Sequence, residues 1–349
     1  MSPTSSWLEF EKLSTPDSCL PDRDLLARLL MSNSCYEAMP VSGRLTIFDQ
    51  KLLMWDAFML LVNSESRHVL LSDSEHDSAI TGILSVTDFI RIIIKMFREK
   101  DSAMDIKIND LGVMTIKQFR ELVHKAGKLR KLVSISVENS LLDAVRILSA
   151  YRVHSLPVLD PLAGNPVAVL THKRILKFIW AFGRKLFHPD HFAMSPRELD
   201  IGTWSGVRVV GVLDVYSRFD AIGVALHNEG LMLLNASVKE ALEFKHICQS
   251  RCERVVSVRE NETFYSVIST LVHHKVHRVC VVDANHVLQG IISLSDVLKA
   301  LVLEPAKYMN PRSAAPRRVS QESFDLSNMT LKGMSITVRQ NHHVYQTLG

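Results

Sequence analysis

One phrase recurs along the 349-residue chain and constrains its fold more than any other feature: an apolar strand, then a Ser or Thr, then an acidic residue opening an apolar helix. It reads GILSVTDFI at 82–90 and GIISLSDVL at 290–298, with degraded copies AVLTHKRIL at 168–176 and VLDVYSRFDAI at 212–222. Indexed on the last polar residue, the copies stand at Asp88, Arg174, Asp220 and Asp296, the middle interval much shorter than the other two. A second phrase precedes three of them: SRHVLLSD (66–73), VHSLPVLD (153–160) and VHRVCVVD (276–283). Upstream of each lies a short strand and an amphipathic helix; in the last, Val267, Ile268, Leu271 and Val272 recur at helical spacing. The predicted unit is β-α-β-β-α. Three units are complete, whereas the third in order lacks its helix and first strands and is short by about 30 residues.

Composition supports a folded chain. Apolar residues make up 47% and charged residues 22%, which excludes disordered, collagenous and disulfide-stapled classes. The net charge is +4, and most of it falls in 304–349, where six Lys/Arg face three acids. Apolar runs such as Ile92-Ile93-Ile94 are closed off by charges, so no membrane span is expected. The opening residues lack the basic-then-apolar pattern of a secretory signal, and the five cysteines contain no C-x-x-C. An intracellular, reduced protein, cytoplasmic and nuclear, is the expectation. No phosphate-loop, kinase, esterase or zinc-hydrolase motif is present, and no nucleic-acid motif either, so the chain reads as non-enzymatic.

The repeated phrases resemble the cystathionine-beta-synthase (CBS) repeat. Phrase by phrase and in order, YEAMPVSGRLTIFD, VHSLPVLDPLAGN, LTHKRILKFI, ELDIGTW, DVYSRFD and VHRVCVVD…GIISLSDVLKALVL are similar to the gamma subunits of AMP-activated protein kinase. The resemblance implies an α/β chain built of α+β CBS repeats, paired into two Bateman modules of which the second is incomplete. The expected division is a flexible segment 1–23, repeats at 24–100 and 101–190, a truncated repeat at 191–235, a repeat at 236–303 and a disordered basic tail at 304–349. It further implies AMP, ADP and ATP as regulatory ligands with no metal required, and a kinase catalytic alpha subunit and a beta scaffold subunit as partners.

The chemistry of the motifs agrees with that implication. Ser85 and Ser293, delivered by a strand to a helix start, can cap backbone N–H groups or reach a phosphate. Asp88, Asp220 and Asp296 can accept two hydrogen bonds from the vicinal hydroxyls of a ribose. Arg174 at the second repeat is donor-only, so that pocket is expected to be empty. The resemblance maps phosphate-binding positions onto Arg67, His154, Lys173, His277 and Arg278, which are expected to converge on a central channel. It adds Thr87, Val133, Thr203, Ser217, Arg218, Lys245 and Ser295 as nucleotide-binding positions. His154-Ser155 stands where the family carries His-Arg, so one cation is lost and a multiply charged phosphate is expected to bind more weakly.

Simpler readings stand beside these. Each carboxylate alone is also a helix-start residue favoured by the dipole. His273 and His274 are expected on a solvated helix face, and His246, Cys248 and Cys252 make a poor zinc site for want of a fourth ligand. Arg317-Arg318-Val319-Ser320 resembles a basophilic kinase site, making Ser320 a phosphorylation candidate. The alternatives to a nucleotide-sensing subunit are an assembly subunit that does not sense nucleotide, and a CBS-pair regulator of some other target.

Overall fold

Three sheets of identical topology organise the chain. The computed structural model describes residues 24–40, 45–63, 68–75, 79–98, 113–127, 129–205, 214, 237–248 and 255–307, all within the unit Met1–Tyr308. After helix α1 (Leu25–Ser32), the first repeat runs β1 (Ile47–Asp49), α2 (Met54–Asn63), β2 (His68–Asp73), β3 (Ala79–Ser85) and α3 (Val86–Arg98). Helix α4 (Ile116–Lys125) follows. The second repeat is β4 (Ile135–Ser136), α5 (Leu141–Ala150), β5 (Ser155–Leu159), β6 (Pro166–Thr171) and α6 (His172–Phe178). Helices α7 (Pro189–Ala193) and α8 (Val238–Cys248) precede the last repeat: β7 (Ser257–Arg259), α9 (Phe264–His273), β8 (Arg278–Val282), β9 (Leu288–Ser293) and α10 (Leu294–Leu298). A short helix α11 (Glu304–Ala306) ends the described chain. Among the described residues the β-α-β-β-α order read from sequence is present three times.

The repeats agree residue by residue. In each, the first strand is parallel to the second and the second antiparallel to the third, with Ile47, Ile135 and Ser257 opposite Leu70, Val158 and Cys280. The ladder is interrupted by a bulge at the same place in every copy, at Leu71/Ser72, Val158/Leu159 and Val281/Val282. The central strand is buried on both faces, as the apolar runs of Val69-Leu70-Leu71 and Val279-Cys280-Val281-Val282 require. The first helix buries one stripe, Phe264, Val267, Ile268 and Leu271 in α9, and starts at a hydroxyl cap: Ser140 accepts from Asp143 N and Thr263 from Ser266 N.

The segments between repeats are exchanged, which corrects the expected boundaries. The first N–H of α2 donates to Met114 O at 2.8 Å, that of α5 to Asn33 O at 2.9 Å and that of α9 to Met194 O at 2.8 Å. The segment before the first repeat therefore seats the second, and the segment before the second seats the first. Residues 113–127, expected with the second repeat, belong to the first: Ile116 is fully buried among Met54, Phe58, Leu61 and Phe89. Arg120 reaches Thr81 O at 2.9 Å, and Lys117 pairs with Glu75 at 2.6 Å. Residues 24–38, expected with the first repeat, instead place α1, with Leu26, Leu29 and Leu30 buried, against α5 and the π-helical segment Lys299–Leu303. The tail expected to be disordered from 304 begins with α11, whose Glu304 pairs with Lys307.

Of the segment 191–235, expected to be a truncated repeat, the described residues include 191–205 and Asp214. Phe192 stacks on Phe264 with ring centroids 5.5 Å apart and Phe187 stacks on Phe192 at 4.1 Å, while Trp180 lies 5.2 Å from Tyr265. This aromatic layer covers the start of α9. Among the described residues no helix is long and apolar enough to cross a membrane.

Candidate functional site

The helix-start carboxylates are first of all caps. Asp88 Oδ2 accepts from Ser85 N at 2.9 Å and Ser85 Oγ at 2.7 Å, and Asp296 Oδ2 accepts from Ser293 N and Oγ at the same two distances. Asp88 Oδ1 meets Arg91 at 3.5 Å. The pattern S-x-x-D thus fixes a carboxylate over the first turn, where the helix dipole favours it. Ser295 Oγ lies 2.9 Å from Ser293 Oγ, adding hydroxyls at the same helix start, and Thr87 is half-buried beside Asp88. At the second repeat the polarity inverts: Thr171 Oγ1 accepts from Arg174 N, and the Arg174 side chain is half-buried.

Across each antiparallel pair the capping residue faces the basic phrase. Ser85 stands opposite His68, Thr171 opposite Ser155, and Ser293 opposite Arg278. His68, Ser155 and Arg278 therefore occupy one structural position, at the mouth of each sheet beside the helix start. Arg67 itself lies outside the described residues. Ser155 Oγ hydrogen-bonds His68 Nδ1 at 3.0 Å, joining the first repeat to the second at this mouth. His68 was not among the residues the sequence nominated.

The second and last repeats meet there too. Lys173 donates to Lys275 O, in the turn that leads into β8. The rings of His154 and His172 are 5.9 Å apart. His172, only 8% exposed, is held neutral: burial, then the positive charge of His154 and of His277, lowers its pKa from 6.5 to about 4. His172 is the second residue that sequence reasoning missed. It stands inside the quoted phrase LTHKRILKFI, but its burial comes from the packing of α6 against α10 and carries no local signal.

Thr203 is delivered by a different device. Thr203 and Ile291 exchange both backbone hydrogen bonds, at 2.9 and 3.0 Å, so the IGTW segment lies along β9 two residues before Ser293. Gly202 adopts φ +118° there, and Trp204 lies against Gly290, with Arg197 over its indole at 5.6 Å. Thr203, Ser293, Ser295 and Asp296 are thus gathered at the last repeat. Val133 is half-buried ahead of β4. Lys245 is on α8, but its side chain is not described, and Ser217, Arg218, Asp220 and Ser320 lie outside the described residues, as does Cys252. His273 is exposed as expected, although its ring also meets Trp180 edge-on at 5.9 Å. No metal-binding group of three or more His, Cys, Asp or Glu occurs among the described residues.

The repeats thus meet through imidazoles and a lysine, His68 with Ser155, His154 with His172 and Lys173 with Lys275 O, while carboxylates and hydroxyls stand at the helix starts, chemistry of the kind that can meet a phosphate and a sugar. Residues 127–181 and 249–303 match the CBS domain model. The chain is similar to 5′-AMP-activated protein kinase subunit gamma-3: 35% identical to the Homo sapiens protein over 85% of this chain, and 35% identical to the Sus scrofa protein over 82%. It spans 65% and 59% of those subunits' own lengths. A Methanocaldococcus jannaschii protein described as an archaeal homologue of gamma-AMPK shares the fold, with a TM-score of 0.56, 10% identity and coverage of 76% of this chain and 99% of that one.

Proposed function

We propose that this chain is a non-catalytic, gamma-type regulatory subunit of AMP-activated protein kinase, which binds AMP, ADP or ATP competitively between its repeats. The observation that supports the reading is the meeting of the second and last repeats, where the His154 and His172 rings lie 5.9 Å apart and Lys173 donates to Lys275 O, two residues before His277. A phosphate there is met by imidazoles and an ammonium from two repeats at once, so its charge is felt across the joint between them. Ribose hydroxyls would take the second carboxylate oxygen of Asp296, with Thr203 alongside. Ligands that share the site shift the assembly only by their difference in affinity for its active and inactive arrangements. The catalytic alpha and beta scaffold subunits are the partners through which such a shift would be read.

Calorimetry with AMP and ATP, in the presence of alpha and beta subunits, tests this reading. Binding is expected; no heat at millimolar nucleotide would overturn it. One observation favours a second reading, an assembly subunit with weak nucleotide response: Ser155 replaces a cation and is bonded to His68. Under that reading the heterotrimer co-purifies while kinase activity stays indifferent to AMP and ATP. Failure to associate with either subunit would point instead to a CBS-pair regulator of a different target.

A further inference from the structure

We propose that Ser134, in the segment that joins the first repeat to the second, is a phosphorylation site for a protein kinase that selects basic residues ahead of its serine. The inference goes beyond the nucleotide reading and does not depend on it. Between Glu121 and Glu138 the chain carries Lys125, Lys128, Arg130 and Lys131 and no acid. Arg130 and Lys131 stand four and three residues before Ser134, with Leu129 one further back. A kinase of this class takes its substrate extended and sets carboxylates of its own against the cations that precede the serine. The segment is already in that form. Helix α4 ends at Lys125, and Gly127 turns the chain away at φ +65°, with open space where a Cβ would stand. Residues 129–134 are neither helix nor strand, and among the described residues their backbone enters no hydrogen bond. Arg130 and Lys131 are exposed, and among the described residues neither enters an ion pair.

The neighbouring hydroxyls are committed elsewhere. Ser136 Oγ accepts from Glu138 N at 3.4 Å, and Ser140 caps α5, accepting from Asp143 N at 3.1 Å and donating to Asp143 Oδ2 at 2.7 Å. Ser134 is half-buried, and among the described residues its hydroxyl makes no hydrogen bond. After it comes β4, which has two residues where β1 and β7 have three, and which lies at the edge of its sheet. Ile135, buried opposite Val158, is its anchor. Seating Ser134 in a kinase cleft therefore needs only this short edge to fray. In the transfer, Ser134 Oγ attacks the γ-phosphorus of kinase-bound ATP, the bond to the ADP oxygen breaks, and the hydroxyl proton passes to the kinase's base; the products are phosphoserine and ADP. The modification brings a charge of about −1.5 to −2 to the junction of the two repeats, one residue after Val133.

Incubation of the full-length chain with ATP and the catalytic subunit of cyclic-AMP-dependent protein kinase, followed by mass mapping of phosphopeptides, tests the proposal. Ser320→Ala is the background, because Arg317-Arg318-Val319-Ser320 meets the same preference. Phosphate on Ser134 of the native chain is expected, and Ser134→Ala should abolish it. Arg130→Ala and Lys131→Ala, at exposed positions where the fold is not at stake, should each slow it by about tenfold. Absence of phosphate from Ser134, under conditions that phosphorylate a control peptide, would overturn the proposal. So would phosphate on Ser136 in its place, or a rate at Ser134 indifferent to both basic residues. Phosphorylation of Ser134 in the heat-denatured chain alone also overturns it, since the fold would then withhold the motif.

Discussion

Substituting Gly290 by Ala tests how the IGTW segment reaches the site. A Cβ at position 290 would lie 2.6 Å from Trp204 Cε3 and 3.0 Å from Thr203 O. The indole could shift, but Thr203 O cannot withdraw without losing its bond to Ile291 N. Two backbone hydrogen bonds are at stake, each contributing about 1 kcal/mol net. Overpacking a close contact costs about 1–3 kcal/mol in its own right. The segment is expected to lift rather than the sheet to break, because β9 is paired with β8 on both sides of the bulge, from Leu288 to Ser293, whereas the IGTW segment is held by the Thr203–Ile291 bridge. The predicted result is a loss of about 2–3 kcal/mol in urea unfolding. Faster amide exchange confined to Thr203 and Ile291 should accompany it, together with weaker AMP binding through displacement of Thr203. Unchanged protection of those two amides, with stability within about 0.5 kcal/mol of wild type, would refute the reasoning.

Three further outcomes follow from particular residues. Asp296→Ala removes the acceptor of two short hydrogen bonds from Ser293 and is expected to cost about 1 kcal/mol in thermal unfolding; a larger fractional loss in AMP affinity is expected, and unchanged affinity would show that Asp296 is a cap and not a ribose acceptor. Ile116→Ala, at a fully buried position in the first repeat's core, is expected to cost about 2–5 kcal/mol, and a loss below 1 kcal/mol would place α4 outside that core. In the ligand-free chain His172 titrates near 4 when folded and 6.5 when unfolded, so as pH falls between those values the unfolded state binds the extra proton and stability declines. The loss amounts to about 3 kcal/mol by pH 4, and acid unfolding of His172→Gln should lack it.

The repeat, the strand order and the helix-start carboxylates were legible because each is a local pattern: alternation, a capping hydroxyl, a turn. Asp88 and Asp296 show the limit of such reading, since the S-x-x-D spacing read as a ribose acceptor is equally that of a helix cap, and the capping bonds are what the structure shows. The exchange of connecting segments was not legible. The periodicity of Ile116, Phe119 and Leu122 announces an amphipathic helix, but not that its apolar stripe fills the preceding repeat's core and not the following one's. His68 could have been found by carrying the repeat register through, because it aligns with Ser155 and Arg278. His172 could not, since its neutrality follows from a packing of α6 against the last repeat that only the tertiary structure supplies.

The central claim is that the second and last repeats present their histidines to one anion. Histidine ring 13Cε1 spectra of the full-length chain, recorded while AMP is added, test it most directly, with resonances assigned through His154→Gln and His277→Gln. Shifts of His154 and His277 that saturate together at one AMP concentration are predicted. Saturable AMP binding that leaves both rings unmoved, or moves only one of them, would contradict the account.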